Sequence, residues 1–199
     1  MNVVYVLGEN LYLNITNKCT NRCTFCIRNY SDRIGDKILW LEKEPTFKDI
    51  IIELKELNLN DYKEIVFCGY GEPLLRVEIV KKVSRYVKEY YPNKNIRIDT
   101  NGHANIFHGR NILPEIAPFV DSISISLNAE NEYKYNLISR PVFKDAYKHL
   151  IEFIKFSSIY IKDVWVSVVN IPSIDIKKCE EVAHNLNVKF KIREFLRSL

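Results

Sequence analysis

Cys19, Cys23 and Cys26 lie within the stretch KCTNRCTFCIRN and are three of the chain's five cysteines. Such crowding serves a disulfide framework, a zinc site or an iron–sulfur cluster. An odd cysteine count speaks against a disulfide scaffold. A structural zinc takes four protein ligands, and the next candidates, Cys68 and His103, are far away in sequence. A [4Fe–4S] cluster takes one thiolate per iron, so three would leave one iron open to another ligand. The short loop lets three thiolates reach adjacent corners of one cube, and Phe25 stands ready to cover the cluster or a ligand on it.

The surrounding chain must position these thiols. It has 199 residues, is 47% hydrophobic and carries a formal net charge of +4 with both signs mixed along it. This composition predicts one domain over 1–199. It makes no strong case for nucleic acid or membrane. The start, MNVVYVLGEN, has no basic head or long apolar stretch, so a cytoplasmic protein with reduced thiols is expected. Asn14-Ile15-Thr16 matches a glycosylation acceptor and is read as chance.

Strand-like and helix-like segments alternate. Strands are expected at 11–16, 64–70, 96–100, 122–128, 164–169 and 189–195, with a small hairpin around Gly8-Glu9-Asn10. Helices are expected at 46–59, 76–92, 141–158 and 173–187, with a short one between Pro114 and Pro118. Thr46 followed by Asp49 resembles a capping box. The second, fourth and fifth strands, rich in Val, Ile and Ser, read as covered on both faces. A mostly parallel α/β sheet follows, either doubly wound or part of a barrel.

Ligands of parallel α/β folds bind at the C-terminal strand ends. Those ends carry the three cysteines, then Cys68-Gly69-Tyr70-Gly71-Glu72-Pro73, then Thr100-Asn101-Gly102-His103, then Ser126 and Asn128, then Asn170, and finally Arg193 and Glu194. Chemistry-bearing residues thus gather at one edge of the sheet.

CTNRCTFC directly after the first parallel strand resembles the signature of the radical S-adenosylmethionine (SAM) superfamily. GYGEP at 69–73 resembles that superfamily's Gly-Gly-Glu-type motif, with Tyr70 as a departure between the glycines. With DTNGH, the run is most similar to the small TatD-associated branch. The resemblance covers essentially the whole chain and implies a partial (β/α)6 TIM-type barrel, open on one side. It implies a [4Fe–4S] cluster on Cys19, Cys23 and Cys26, with the amino and carboxylate groups of SAM on the fourth iron. It further implies reductive cleavage of SAM to methionine and a 5′-deoxyadenosyl radical, and a low-potential electron donor of flavodoxin or ferredoxin type. No catalytic residue beyond the cluster ligands is assigned.

Within that frame Gly69, Tyr70, Gly71 and Glu72 are expected to receive the ammonium of SAM through backbone carbonyls and the Glu72 carboxylate. Ser126 and Asn128 are expected at the ribose or carboxylate, Arg140 at the carboxylate, and Val168 with Val169 beside the adenine. His103 is read as a solvated loop residue or a substrate contact, and Cys68 as a core residue or a thiol lining the site. Cys179 is read as core, and His108, His149 and His184 as structural or exposed. Six strands leave one side open, which favours a peptide or protein segment over a small metabolite as substrate. A zinc-stabilised, non-catalytic binding module is the alternative.

Overall fold

The structure, a computed structural model, describes residues 2–195; residue 1 and residues 196–199 lie outside it. Among the described residues nine strands form: β1 (Val4–Leu7), β2 (Asn10–Leu13), β3 (Arg33–Ile34), β4 (Lys37–Ile38), β5 (Glu64–Phe67), β6 (Asn95–Thr100), β7 (Ser122–Ser126), β8 (Asp163–Val169) and β9 (Lys189–Arg193). Seven join one sheet in the order β1-β2-β5-β6-β7-β8-β9. The β1–β2 hairpin is antiparallel and the pairs from β2 to β9 are all parallel. Strand order follows sequence order without a reversal, as in a barrel wall; a doubly wound sheet would reverse at a switch point.

Among the described residues seven α-helices accompany the sheet: α1 (Phe47–Lys55), α2 (Val77–Tyr90), α3 (Ala104–His108), α4 (Leu113–Ile116), α5 (Glu132–Ser139), α6 (Ala146–Tyr160) and α7 (Ile176–Asn185). Thr46 and Asp49 close the expected capping box at the start of α1. Alternate strand residues, among them Ile65, Phe67, Ile96, Ile98, Ile123, Ile125, Val164 and Val166, join helix residues such as Ile50, Val80, Leu150 and Phe153 in one apolar core. Among the described residues no helix is long and apolar enough to cross a membrane.

Several boundaries differ from expectation. The first parallel strand stops at Leu13 because Asn14 turns inward: its side chain donates to the Leu39 carbonyl at 2.6 Å and accepts from the Tyr70 amide at 3.3 Å. Asn14 is fully buried, so its glycosylation pattern is closed to modification. The expected helix at 141–158 begins only at Ala146, after Asp145 adopts φ +54°. Helices α3 and α5 and the β3–β4 hairpin form where the sequence shows no clear periodicity. The fourth expected strand is not covered on both faces: Ile123 and Ile125 are buried toward the core, while Ser122, Ser124 and Ser126 stay partly open on the other face.

Candidate metal centre

The long segment between β2 and α1 carries the three cysteines, and later elements hold it from three sides. The first is the turn after β5. An added Cβ at Gly71 would lie 2.6 Å from the Lys18 carbonyl oxygen and closer still to that of Thr16; one at Gly69 would lie 2.6 Å from Asn14 Cγ. Both glycines are therefore needed so that this turn can pack against the root of the cysteine loop. The Glu72 amide donates to the Lys18 carbonyl at 2.7 Å. Arg76 pins both ends of the loop, donating to the Ile15 carbonyl at 2.6 Å and the Pro45 carbonyl at 2.9 Å. Tyr70, the departure between the glycines, packs with Tyr5 and Leu39 and donates its hydroxyl to the Ser31 carbonyl at 2.9 Å.

The second support is the end of β6. The buried Glu72 carboxylate accepts from Thr100 Oγ1 at 2.7 Å, the Asn101 amide at 2.6 Å and the Leu74 amide at 3.0 Å. Burial pushes its pKa up to about 7 against the pull of those three donors. Asn101 Nδ2 donates to Thr20 Oγ1 at 2.8 Å and reaches Cys19 Sγ at 3.6 Å. His103 is fully buried, with Nδ1 3.0 Å from Thr20 Oγ1 and Nε2 2.8 Å from the Tyr135 hydroxyl. Tyr135 in turn accepts from Asn21 Nδ2 at 3.2 Å. His103 is thus neither a solvated loop residue nor a substrate contact, but a strut between the loop and α5.

Burial, with a smaller contribution from His149, lowers the His103 pKa to about 4. A base depressed in the folded state loses stability as pH falls from its unfolded value, near 6.5, toward that folded value. Glu72, raised, titrates with the opposite sign over the same range, so the wild type alone cannot isolate the histidine. The expected result is comparative. At pH 7 a His103→Gln variant is less stable than wild type in urea, and that gap narrows by about 2 kcal/mol at pH 5. A gap independent of pH would show that the imidazole is not held neutral.

The third support is the C-terminal end of α5. The Ser139 and Ile138 carbonyls accept from the Arg22 and Thr24 amides at 2.9 and 2.8 Å. These are last-turn acceptors that a helix cannot satisfy internally. The Ser139 side-chain oxygen accepts from Asn128 Nδ2 at 3.2 Å.

Held this way, the three free cysteines border one cavity of about 570 Å³, shared with Asn17, Lys18, Asn21, Arg22, Arg28, Asn29 and Trp40. Phe25 packs against the main core. Burial raises the Cys19 pKa to about 11, helped by the Glu72 charge, and the Cys23 pKa to about 12, helped by the neighbouring cysteines. Without a bound cation these groups stay protonated thiols, and a bound cation would invert that preference. Among the described residues no three His, Cys, Asp or Glu side chains surround a point where a single metal ion could sit. Zinc needs its ligands around one point, whereas a cluster takes thiolates on separate irons. The three thiols fit the cluster better.

The family model of the radical SAM superfamily matches residues 13–186. The chain belongs to the radical SAM superfamily. Members of this superfamily use a [4Fe–4S] cluster with SAM. An uncharacterized protein of Methanocaldococcus jannaschii is 27% identical over 176 residues, which is 88% of this chain and 52% of the relative. The chain spans about half the length of that curated relative. Among solved structures, TYW1 with a lysine–pyruvate adduct bound is 14% identical, with a TM-score of 0.66 over 96% of this chain and 67% of that one. anSMEcpe with bound AdoMet is 15% identical, with a TM-score of 0.66 over 94% of this chain and 51% of that one. These likenesses carry the fold, a partial barrel.

The remaining site residues fall into separate places. Ser126 Oγ accepts from Arg193 Nη2 at 3.1 Å on the face turned away from the helices. Asn128, at φ +64°, is buried, and its Oδ1 has no partner. Arg140 caps α5 with φ +46° and is exposed outside the cavity lining. Val168 is a correction: it is fully buried in the main apolar core and offers no surface to an adenine. Cys68, near Asp99, is half-buried, and burial pushes its thiol up. Cys179 is core as expected. Sequence reasoning missed Asn14, Arg76, Asn101, Tyr135 and Ser139. Of these, only Asn101 carried a signal, its place at a C-terminal strand end.

Proposed function

We propose that Cys19, Cys23 and Cys26 ligate a [4Fe–4S] cluster through which this chain cleaves SAM to methionine and a 5′-deoxyadenosyl radical, which then takes hydrogen from a substrate. The observation that carries this reading is the convergence of three free, half-buried thiols on one cavity, in a chain of this superfamily. The chain's own part is to hold the loop, exclude water and present polar groups. The backbone of Gly69–Glu72, with the unpartnered Asn128 Oδ1, suits the polar groups of SAM. Arg140 stands for the carboxylate, and Ser126 for the ribose once Arg193 yields it. The Glu72 carboxylate acts indirectly, since both its oxygens already accept from Leu74, Thr100 and Asn101. Lys18, Arg22 and Arg28 at the cavity favour an acidic electron donor of flavodoxin or ferredoxin type.

For the substrate, a peptide or protein segment along the open side is favoured over a small metabolite. The strand face away from the helices carries Glu64, Arg97, Asp99 and Arg193. Arg97 Nε pairs with Asp99 Oδ1 at 3.4 Å, and Arg193 Nε is buried there without a hydrogen-bond partner. A face that carries charged groups of both signs suits the alternating N–H and C=O groups of a peptide. The resemblance to the TatD-associated branch is kept as part of this proposal, because the family match is to the superfamily as a whole.

Anaerobically reconstituted protein should be brown, hold about four irons and four sulfides per chain, and release 5′-deoxyadenosine from SAM after reduction. A colourless protein with one zinc per chain would instead establish the binding-module alternative. Intact cluster without 5′-deoxyadenosine formation would refute SAM cleavage.

A further inference from the structure

The sheet face turned away from the helices holds more positive than negative charge. Its carboxylates are already claimed: Glu64 and Asp99 by Arg97, at 3.3 and 3.4 Å, and Asp163 by Lys189 at 2.6 Å. Lys189, Lys191 and Arg193 alternate along β9 and so share that face. Three carboxylates thus meet four cations, a surplus of one positive charge. Asp99 lies within electrostatic reach of Arg193, but Arg97 holds it more strongly. Lys191 is exposed to water, whereas Arg193 is half-buried. The Arg193 side chain crosses β8: the residue pairs in register with Val169, yet its Nη2 donates to Ser126 Oγ of β7 at 3.1 Å. Its Nε is buried without a hydrogen-bond partner. Ser167 of β8 lies opposite Ser126 in register, is 1% exposed, and has a hydroxyl that is also unpartnered. This end of β9 stands beside the cysteine loop, since Phe195 meets Tyr30 edge to face with ring centroids 6.0 Å apart, and Asn29 next to Tyr30 lines the cysteine cavity.

We propose that Arg193, assisted by the Ser167 hydroxyl, binds an Asp or Glu side chain of the substrate peptide. The inference rests on the peptide-substrate reading above and names the kind of peptide. A half-buried guanidinium without a counter-charge is unfavourable, and its fork of N–H groups matches a carboxylate. The surplus of one charge suits a monoanion, whereas a phosphate group brings nearly two negative charges. The carboxylate of SAM is expected on the open iron and at Arg140, which leaves Arg193 for the substrate.

The test is binding of blocked heptapeptide pools to reconstituted holoprotein with SAM but no reductant, so that no turnover occurs. Each pool has random flanks and a fixed central residue, namely Glu, Asp, Gln, Lys or phosphoserine, and fluorescence anisotropy reads the affinity. Wild type should bind the Glu or Asp pool about tenfold more tightly than the Gln pool, as for a hydrogen bond to a charged group. Arg193→Gln should erase that preference, Arg193→Lys should keep part of it, and Ser167→Ala should lessen it, all with unchanged SAM affinity. Urea midpoints check folding; should Arg193→Gln not fold, a reduced preference in Arg193→Lys decides. Equal binding of the Glu and Gln pools by wild type, or a preference that survives Arg193→Gln, overturns the proposal. So does tighter binding of phosphoserine than of Glu. A loss of SAM affinity in Arg193→Gln would assign the arginine to the carboxylate of SAM and equally overturn it. Holoprotein that binds no pool overturns the peptide reading and this inference with it, whereas equal binding of the pools overturns the inference alone.

Discussion

Cys23→Ala is expected to abolish both the iron centre and 5′-deoxyadenosine formation. Cys23 is the middle cysteine of the loop, flanked by amides tied to the end of α5. Its removal leaves two thiols to hold a cluster that takes one thiolate per iron. The site also lacks a substitute: Cys68 is outside the cavity lining, and His103 has both ring nitrogens engaged. Iron per chain should drop from about four to near zero. SAM cleavage should fall by at least a few orders of magnitude, as for loss of any group on which the chemical step depends. The polypeptide should keep its fold, because Cys23 is only partly buried and contributes little to the core. Far-ultraviolet circular dichroism and urea midpoint check this last point. Cleavage at the wild-type rate in Cys23→Ala would remove it from the ligand set.

The second large effect is expected at Gly71. A methyl group there meets the carbonyl oxygens of Thr16 and Lys18, which are main-chain atoms that no rotamer change can move aside. Gly71→Ala should cost about 1–3 kcal/mol, the usual range for overpacking in a tight site. Because Lys18 directly precedes Cys19, the displaced backbone should also reduce iron content. Gly109→Ala is the control. Its Cβ meets nothing, and its φ of +64° brings only backbone strain at the end of α3. The control should lose about 1 kcal/mol and no iron. Equal iron content in both variants would mean that the turn after β5 does not position the cysteine loop.

These expectations show where sequence was enough and where it was not. The cysteine spacing, the glycine turn and the strand ends were legible because each is local: neighbouring residues of the right type at the right interval. The sequential sheet order was half legible, since alternating strands and helices suit both a barrel wall and a doubly wound sheet. Val168 was misplaced for a definable reason. VWVSVV is apolar at nearly every position, so the alternation that tells one face from the other is blurred. Gly69 and Gly71 were expected to bring backbone carbonyls to the ammonium of SAM, and the structure adds their close approach to Asn14, Thr16 and Lys18. Helix α5 was hidden because EYKYNLIS buries only Tyr135, Ile138 and Ser139 and has no strong apolar stripe. The hydrogen bonds of His103, Asn101 and Ser139 depend on long-range partners that no single-sequence pattern reveals.

The same long-range anchoring bears on how the protein matures. The cysteines are made before Gly71, Asn101, Tyr135 and Ser139, the residues that shape their loop. Contacts of such sequence separation form slowly and late. A nascent chain therefore exposes three unguarded thiols well before it owns a receptacle for iron. Delivery of the metal must wait for the arc of strands to extend through β7 and for α5 to dock. Iron loading should then follow folding rather than guide it, unlike small zinc domains in which metal binding and folding are one event.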